Sequence, residues 1–391
     1  MTDGIKKKAF SKNITQKKQI IKSDSMEIDP WDSKEVKNYT KLMQEFGIED
    51  FKPVVEKIPE PHYLMRRGII FGHRDYQRIL DCIKNKKRFV MMTGLMPSGK
   101  FHLGHKTIAD QIIYYQKIGA KIYLCVADVE AYNMRMASLE KLRETAIEEY
   151  LINYIALGLK RRGCDFYFQS ERSGKAKKSN AYYRLATIVS RAVTFNEMRA
   201  IYGELSPGKI ISVMMQVSDI LHPQLKEFEK PIPTLVPVGI DQDPHLRLTR
   251  DIAARFQKTF RFIPPSSTYT RFMRGLKGGK MSSSDPSSYI ALTDNPEEAA
   301  KKIMSALTGG KGNIKEQREY GGVPEFCTVF DVWKFHADDD KLVNRIYNEC
   351  RSGERICGDC KKECAEFLKR FLKEHQRKRK KARKIYRKFL E

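Results

Sequence analysis

An α/β fold built on a parallel sheet, continued by an all-helical C-terminal region, is what this 391-residue chain predicts. Three observations carry that prediction. Short apolar runs of strand length alternate with helix-like segments over the first two thirds of the chain. One such run, residues 87–92 (KRFVMM), leads into a Pro/Gly loop, TGLMPSGKFHLGHK at 93–106, that opens a helix. Strand, glycine loop, helix and strand in that order make a right-handed βαβ unit. Beyond Pro286 the strand signals stop and helical patterns follow one another.

Residues 1–60 are polar and lysine-rich, with a weak helical pattern at 33–46, and are expected to be a partly disordered extension. After the glycine loop, 108–116 has helical spacing and 121–126 (KIYLCV) forms the next buried strand. An amphipathic helix is expected over 139–157 and a short strand at 164–169 (CDFYFQ). A basic loop at 172–180 (RSGKAKKSN) precedes helical segments at 182–198 and 213–221. The sheet resumes at 234–240 (TLVPVGI), and DQDPHLRLTRDIAARF opens a helix behind it. Three units result: the extension 1–60, a sheet domain 61–290 with a helical insertion at about 140–205, and a helical domain 291–391.

The 73 Lys and Arg against 48 Asp and Glu leave a net charge of +25. That excess favours a polyanionic partner, because each neutralised phosphate releases counterions; a solvated basic surface is the alternative. No apolar run reaches transmembrane length, so a cytoplasmic chain without a membrane partner is expected. Eight cysteines in that compartment are thiols or metal ligands rather than disulfides.

Two loops concentrate chemistry. In the first, His102 and His105 lie three apart around Gly104, behind Pro97 and Gly99. A loop between a strand and a helix N-terminus binds anions through free N–H groups and the helix dipole. The histidines are therefore phosphate donors, incidental turn residues, or half of a metal site whose other ligands the segment lacks. The second loop, GLKGGKMSSSDPSS at 275–288, can close over a polyphosphate or serve as a flexible linker.

HxGH after the first strand and KMSSS after the last are the paired signatures of class I aminoacyl-tRNA synthetases. Within that class the chain resembles the tryptophanyl-tRNA synthetases of the archaeal and eukaryotic branch from about Arg67 onward. RGIIFGHRDYQRIL, TGLMPSGKFHLGH, VADVEAY, GIDQDPHLRLTRDIAARF, KMSSSDP and ALTGGKGNIKEQREYGG carry the likeness. The resemblance implies a nucleotide-binding, Rossmann-like domain with a helical anticodon-binding domain. It implies ATP-dependent activation of L-tryptophan to the adenylate, with Mg²⁺ accompanying ATP, and transfer to tRNA(Trp). A homodimer joined through residues 140–202 is implied as well.

By the same resemblance His102, His105, Lys280, Ser282 and Ser283 are catalytic. Pro97, Ser98, Gly104, Gly239, Asp241 and Met281 face ATP, and Met92, Gly94, Glu130, Gln216, Asp219 and Gln242 face tryptophan. The chain departs from its branch at Met92 and Cys125, where a Tyr and a Gln usually help read the indole. Asp219, three residues beyond Gln216, matches the indole acceptor of bacterial relatives and is expected to take over. Tyrosyl enzymes place tyrosines at the positions of Met92 and Ser212, and both are missing here.

Cys327, Cys350, Cys357 and Cys360 have the spacing C-x22-C-x6-C-x2-C, with Cys364 just beyond. Four such thiols suggest tetrahedral ligation by zinc or an iron–sulfur cluster, or a loop of free thiols. Some tryptophanyl enzymes with this spacing carry a [4Fe–4S] cluster, which the resemblance favours. The closing run HQRKRKKARKIYRKF is expected to be one helix, with Ile385, Tyr386, Phe389 and Leu390 on its apolar face and a basic, phosphate-tracking opposite face.

Overall fold

The computed structural model describes residues 39–135, 137–279, 281 and 285–390. In chain order the elements that position the site are α1 (Tyr39–Phe46), β1 (Glu49–Asp50), β2 (Ile70–Arg74), β3 (Val90–Leu95), α2 (Leu103–Lys117), β4 (Lys121–Val126), α3 (Asp128–Arg135) and β5 (Cys164–Phe168). They continue with α4 (Ala176–Ile188), α5 (Pro207–Leu221), β6 (Thr234–Gly239), α6 (Asp243–Arg255) and β7 (Ser266–Thr270). The last are α7 (Pro296–Ser305), α8 (Thr328–His336), α9 (Asp340–Arg351) and α10 (Cys357–Ala382).

The strands form one seven-stranded sheet in the order β1-β2-β7-β6-β3-β4-β5. The run from β7 to β5 is parallel, as the βαβ pattern predicts. At the other edge β2 runs antiparallel to β7 and β1 antiparallel to β2, so the sheet is mixed. Successive side chains of a strand point to opposite faces, and the core divides accordingly. Met91, Ile122 and Leu124 enter the core on one face, while Val90, Met92, Tyr123 and Cys125 enter the core on the other. Both faces are dry, which is why these strands read as continuous apolar runs rather than alternating ones.

Part of the expected extension is built into the sheet domain. Leu42, Ile48, Phe51 and Ile58 are buried, and Phe51 N–H donates to Phe71 O at 3.0 Å. Four well-spaced apolar side chains were too sparse in a lysine-rich stretch to signal this. Residues 1–38 lie outside the described residues.

The helix expected over 139–157 is a continuous helical run with a π-helical stretch at Ala146–Leu151, and it stops at Gly158, whose φ of 126° suits glycine. At the other end of the chain the closing helix corrects the expectation: α10 stops at Ala382, and Tyr386–Phe389 is a separate 3₁₀ turn. Its apolar residues therefore part company. Phe389 is buried, whereas Ile385 is exposed.

The helical region does not stand apart from the sheet. Phe101, Leu103, Ile112 and Tyr150 share one hydrophobic core with Trp333, Phe335, Leu368 and Leu372. His375 of α10 pairs with Asn153 Oδ1 at 2.7 Å, and Arg379 donates to Glu148 O at 3.1 Å. Among the described residues no helix is long and apolar enough to cross a membrane.

Candidate active site

The C-terminal ends of β3, β4 and β6 open into a cavity of about 340 Å³, the position where parallel α/β sheets bind ligands. Met92 and Gly94 come from β3, Cys125 from β4, and Gly239 with Gln242 from the end of β6 and the turn behind it. Helix α3 contributes Glu130, and α5 contributes Gln216 and Asp219. Every residue expected to face tryptophan thus lines this one cavity.

Its polar groups sit at two poles. Gln216 Nε2 donates to both oxygens of Glu130, at 3.0 and 2.9 Å, leaving a carboxylate beside an amide that can receive a cationic ammonium. Asp219 forms the other pole and is 4% exposed. Its Oδ1 accepts from the Tyr167 and Tyr182 hydroxyls at 2.8 and 2.7 Å, and Oδ2 accepts from Gln169 Nε2 at 2.7 Å. Burial pushes its carboxyl above the ordinary range, opposed by these donors and by the Cys125 thiol. A carboxylate offers about four lone-pair sites, and these donors already address all of them, so an indole N–H would take the place of one, the weak Cys125 thiol being the easiest to displace.

Gln169 was not found by reading the sequence. Its Oε1 accepts Glu130 N–H at 3.2 Å while its Nε2 holds Asp219, so one fully buried side chain ties the two poles together. The one available signal was its place immediately after the β5 run, at the ligand-binding end of the sheet. His245 was read only as part of GIDQDPH; it also lines the cavity, and its ring Nδ1 pairs with the Tyr202 hydroxyl at 2.9 Å. Burial lowers that imidazole to about 3.

His102 and His105 form the N-terminal cap of α2. Gly104 N–H donates to His102 Nδ1 at 3.1 Å, and His102 N–H donates to His105 Nδ1 at 3.2 Å. With both Nδ1 atoms accepting, each neutral ring must carry its proton on Nε2. Burial holds His102 down to about 4 and His105 well below its ordinary value, so both are neutral N–H donors. A Cβ at Gly104 would stand 2.9 Å from the His102 ring and 3.3 Å from Met281 Sδ, which places Met281 against this motif. At Gly239 a Cβ would meet Asp241 Oδ1 at 2.5 Å and the Phe272 ring at 2.6 Å, so a larger residue would have to displace both side chains.

Pro97 and Ser98 lie in the same strand-to-helix loop. The segment that follows the second loop is tied to the first: Leu103 N–H donates to Ile290 O and Leu292 N–H to Phe101 O, and His102 bridges Ala291. Lys280, Ser282 and Ser283 lie outside the described residues.

Cys327, Cys350, Cys357 and Cys360 line one small cavity between α8, α9 and the start of α10. Glycine backbone crowds two of them, since a Cβ at Gly310 or Gly322 would stand 2.4 Å from Cys357 Sγ or 2.8 Å from Cys350 Sγ. Burial pushes the Cys350 thiol up to about 11 and Cys360 to about 12. Among the described residues no group of three or more His, Cys, Asp or Glu stands ready to hold a metal ion. The thiols share a cavity without being drawn into a ligand set.

The family model of the class I tRNA synthetases (W and Y) matches residues 84–373. The chain is 49% identical over 354 residues to the tryptophan–tRNA ligase of Methanocaldococcus jannaschii, covering 88% of this chain and 94% of that one. It is 48% identical to the same ligase of Hyperthermus butylicus, covering 88% and 92%. Among solved structures, the tryptophanyl-tRNA synthetase of Aeropyrum pernix matches with a TM-score of 0.85 and 48% identity, over 92% of this chain and 98% of that one. With the sheet, the capped histidine pair and the two-pole cavity already in place, these matches settle the family: the chain belongs to the class I tRNA synthetases of the tryptophan and tyrosine group.

Proposed function

We propose that the chain activates L-tryptophan with MgATP to tryptophanyl-adenylate and transfers it to tRNA(Trp). The identity of nearly half of all positions with tryptophan–tRNA ligases, over almost their whole length, carries this reading. The tryptophan carboxylate attacks the α-phosphorus and pyrophosphate leaves, so the protein's task is positioning and charge neutralisation. In this reading the Nε2–H groups of His102 and His105 donate to phosphate oxygens as charge builds, and Lys280 with Ser282 and Ser283 holds pyrophosphate. Pro97, Ser98, Gly104, Gly239, Asp241 and Met281 border the nucleotide. Glu130 and Gln216, with Gln242, hold the amino-acid head group, Met92 and Gly94 flank the ring, and Asp219 accepts the indole N–H.

Pyrophosphate exchange with tryptophan, tyrosine or neither, followed by tRNA charging, tests the reading. Exchange with tryptophan and charging of tRNA(Trp) is the expected result. Exchange with tyrosine would make it a tyrosyl enzyme, and no exchange at all a silent RNA-binding paralogue.

Finer assignments extend this reading: residues 291–391 act as the anticodon-binding domain, and a homodimer works in the cytoplasm. The four thiols Cys327, Cys350, Cys357 and Cys360 share one cavity and would have to draw closer together to hold a [4Fe–4S] cluster, with zinc as the alternative, and such a group would brace α8, α9 and α10. Iron and acid-labile sulfide in anaerobically purified protein are the expected result; zinc alone, or no metal, would remove the cluster.

A further inference from the structure

The far edge of the sheet carries a second cavity, about 390 Å³, along β5 and remote in sequence from both signature loops. It draws together three basic stretches that the chain order keeps apart. Arg161 and Arg162 precede β5, Lys175 and Lys178 follow it, and Lys388 comes from the last turn of the chain, while Lys121 stands at the start of β4. None of these six cations has a carboxylate partner among the described residues, although Arg143 and Arg172 in the same groove are paired with Glu171 and Asp165. Six unneutralised cations around one groove repel one another, so an occupant bringing several negative charges in a row lowers the energy of the whole site.

The groove also holds backbone donors. Gln169 N–H donates to Val126 O and Gly163 O accepts from Ile122, so the odd-numbered residues of β5 face β4. By alternation the Phe166 and Phe168 amides face outward. This outward ladder is short. Cys164 N–H already donates to Arg161 O, and Phe168 O already accepts from Glu171 N–H. Two remaining amides are too few to add an acidic peptide as a further strand, which needs a run of ladder bonds. They suit isolated phosphate oxygens.

We infer that this β5 groove is a track for an RNA backbone, read without sequence preference, and that it holds a segment of the tRNA away from the reacting end. The inference rests on the tRNA-charging function proposed above, and it requires the homodimer to join through the part of residues 140–202 that lies outside this groove.

The test is the triple variant Arg162→Ala, Lys175→Ala, Lys388→Ala in the full chain, whose three side chains make no hydrogen bond or ion pair among the described residues. The KM for tRNA in charging should rise about tenfold. The slope of log affinity against log salt, measured with a fluorescein-labelled tRNA, should fall by roughly 2 to 3, at about 0.7–0.9 per lost phosphate contact. Pyrophosphate exchange, which needs no tRNA, should be unchanged. Unchanged tRNA KM and salt slope beside normal exchange would overturn the groove assignment alone. Absent exchange in the parent protein would overturn the activity itself. A variant that changes oligomeric state by sedimentation, or a parent groove that takes an oligoglutamate as tightly as an RNA of equal charge, would also overturn the RNA assignment.

Discussion

In the proposed reading Asp219 takes the indole N–H, and its carboxylate is oriented by Tyr167, Tyr182 and Gln169. A buried N–H that loses its acceptor costs about 1–3 kcal/mol, so Asp219→Ala should raise the KM for tryptophan roughly tenfold to a hundredfold. An analogue with sulfur in place of the indole N–H should lose much less. Equal loss for both substrates would show that Asp219 only supports the pocket wall. The position of Asp219 was legible because Gln216 and Asp219 fall on one helix face. Gln169 was not legible, because a single glutamine after a strand has no local pattern. Its meaning appears only when β5, α3 and α5 meet.

At the level of the element, α2 shows how one pair of side chains serves two purposes. His102 caps the helix through Nδ1 and keeps Nε2–H for a ligand. In His102→Asn the side-chain oxygen replaces Nδ1 while the distal donor is lost. Thermal stability should therefore stay within about 0.5 kcal/mol of the parent, and exchange should fall about a hundredfold, the scale of losing one transition-state donor. His102→Ala should lose both stability and rate. Equal activity of His102→Asn and the parent would confine His102 to capping.

The same scale shows where sequence patterns sufficed. Strand runs at β3, β4 and β6 were plain because both faces of the sheet are dry. The β1 and β2 strands were not, because β2 gains its place by antiparallel pairing with distant β7 and β1 by pairing with β2. The closing helix was overextended because basic residues propagate helices well, whereas docking of Phe389 against the sheet domain broke the pattern.

Across the whole molecule, burial of histidines sets the response to acid. His62 and His102 are held down to about 4, and His245 and His375 to about 3, in each case chiefly by burial. Each stays neutral in the fold but protonates near 6.5 once unfolded, so the unfolded chain binds the extra protons below that pH. The stabilisation is complete above pH 6.5 and drains away as pH falls toward 4, at roughly 1.4 kcal/mol per pH unit for each group. The urea midpoint should therefore drop steeply between pH 6.5 and 5. A flat midpoint over that range would mean that these rings are already solvated.

The shared core of Phe101, Leu103, Trp333 and Leu372 also decides how this chain can be dissected. Composition suggests a cut near residue 290, yet such a cut would strip the apolar cover from the helix that carries the histidine pair. It would also strand Lys106, whose ammonium lies against the Phe371 ring as well as Asp110. A fragment ending there should aggregate rather than exchange pyrophosphate. Engineering of the helical C-terminal region would have to proceed by grafting onto α10 and not by truncation, because the chemistry borrows its foundation from the helices that follow it.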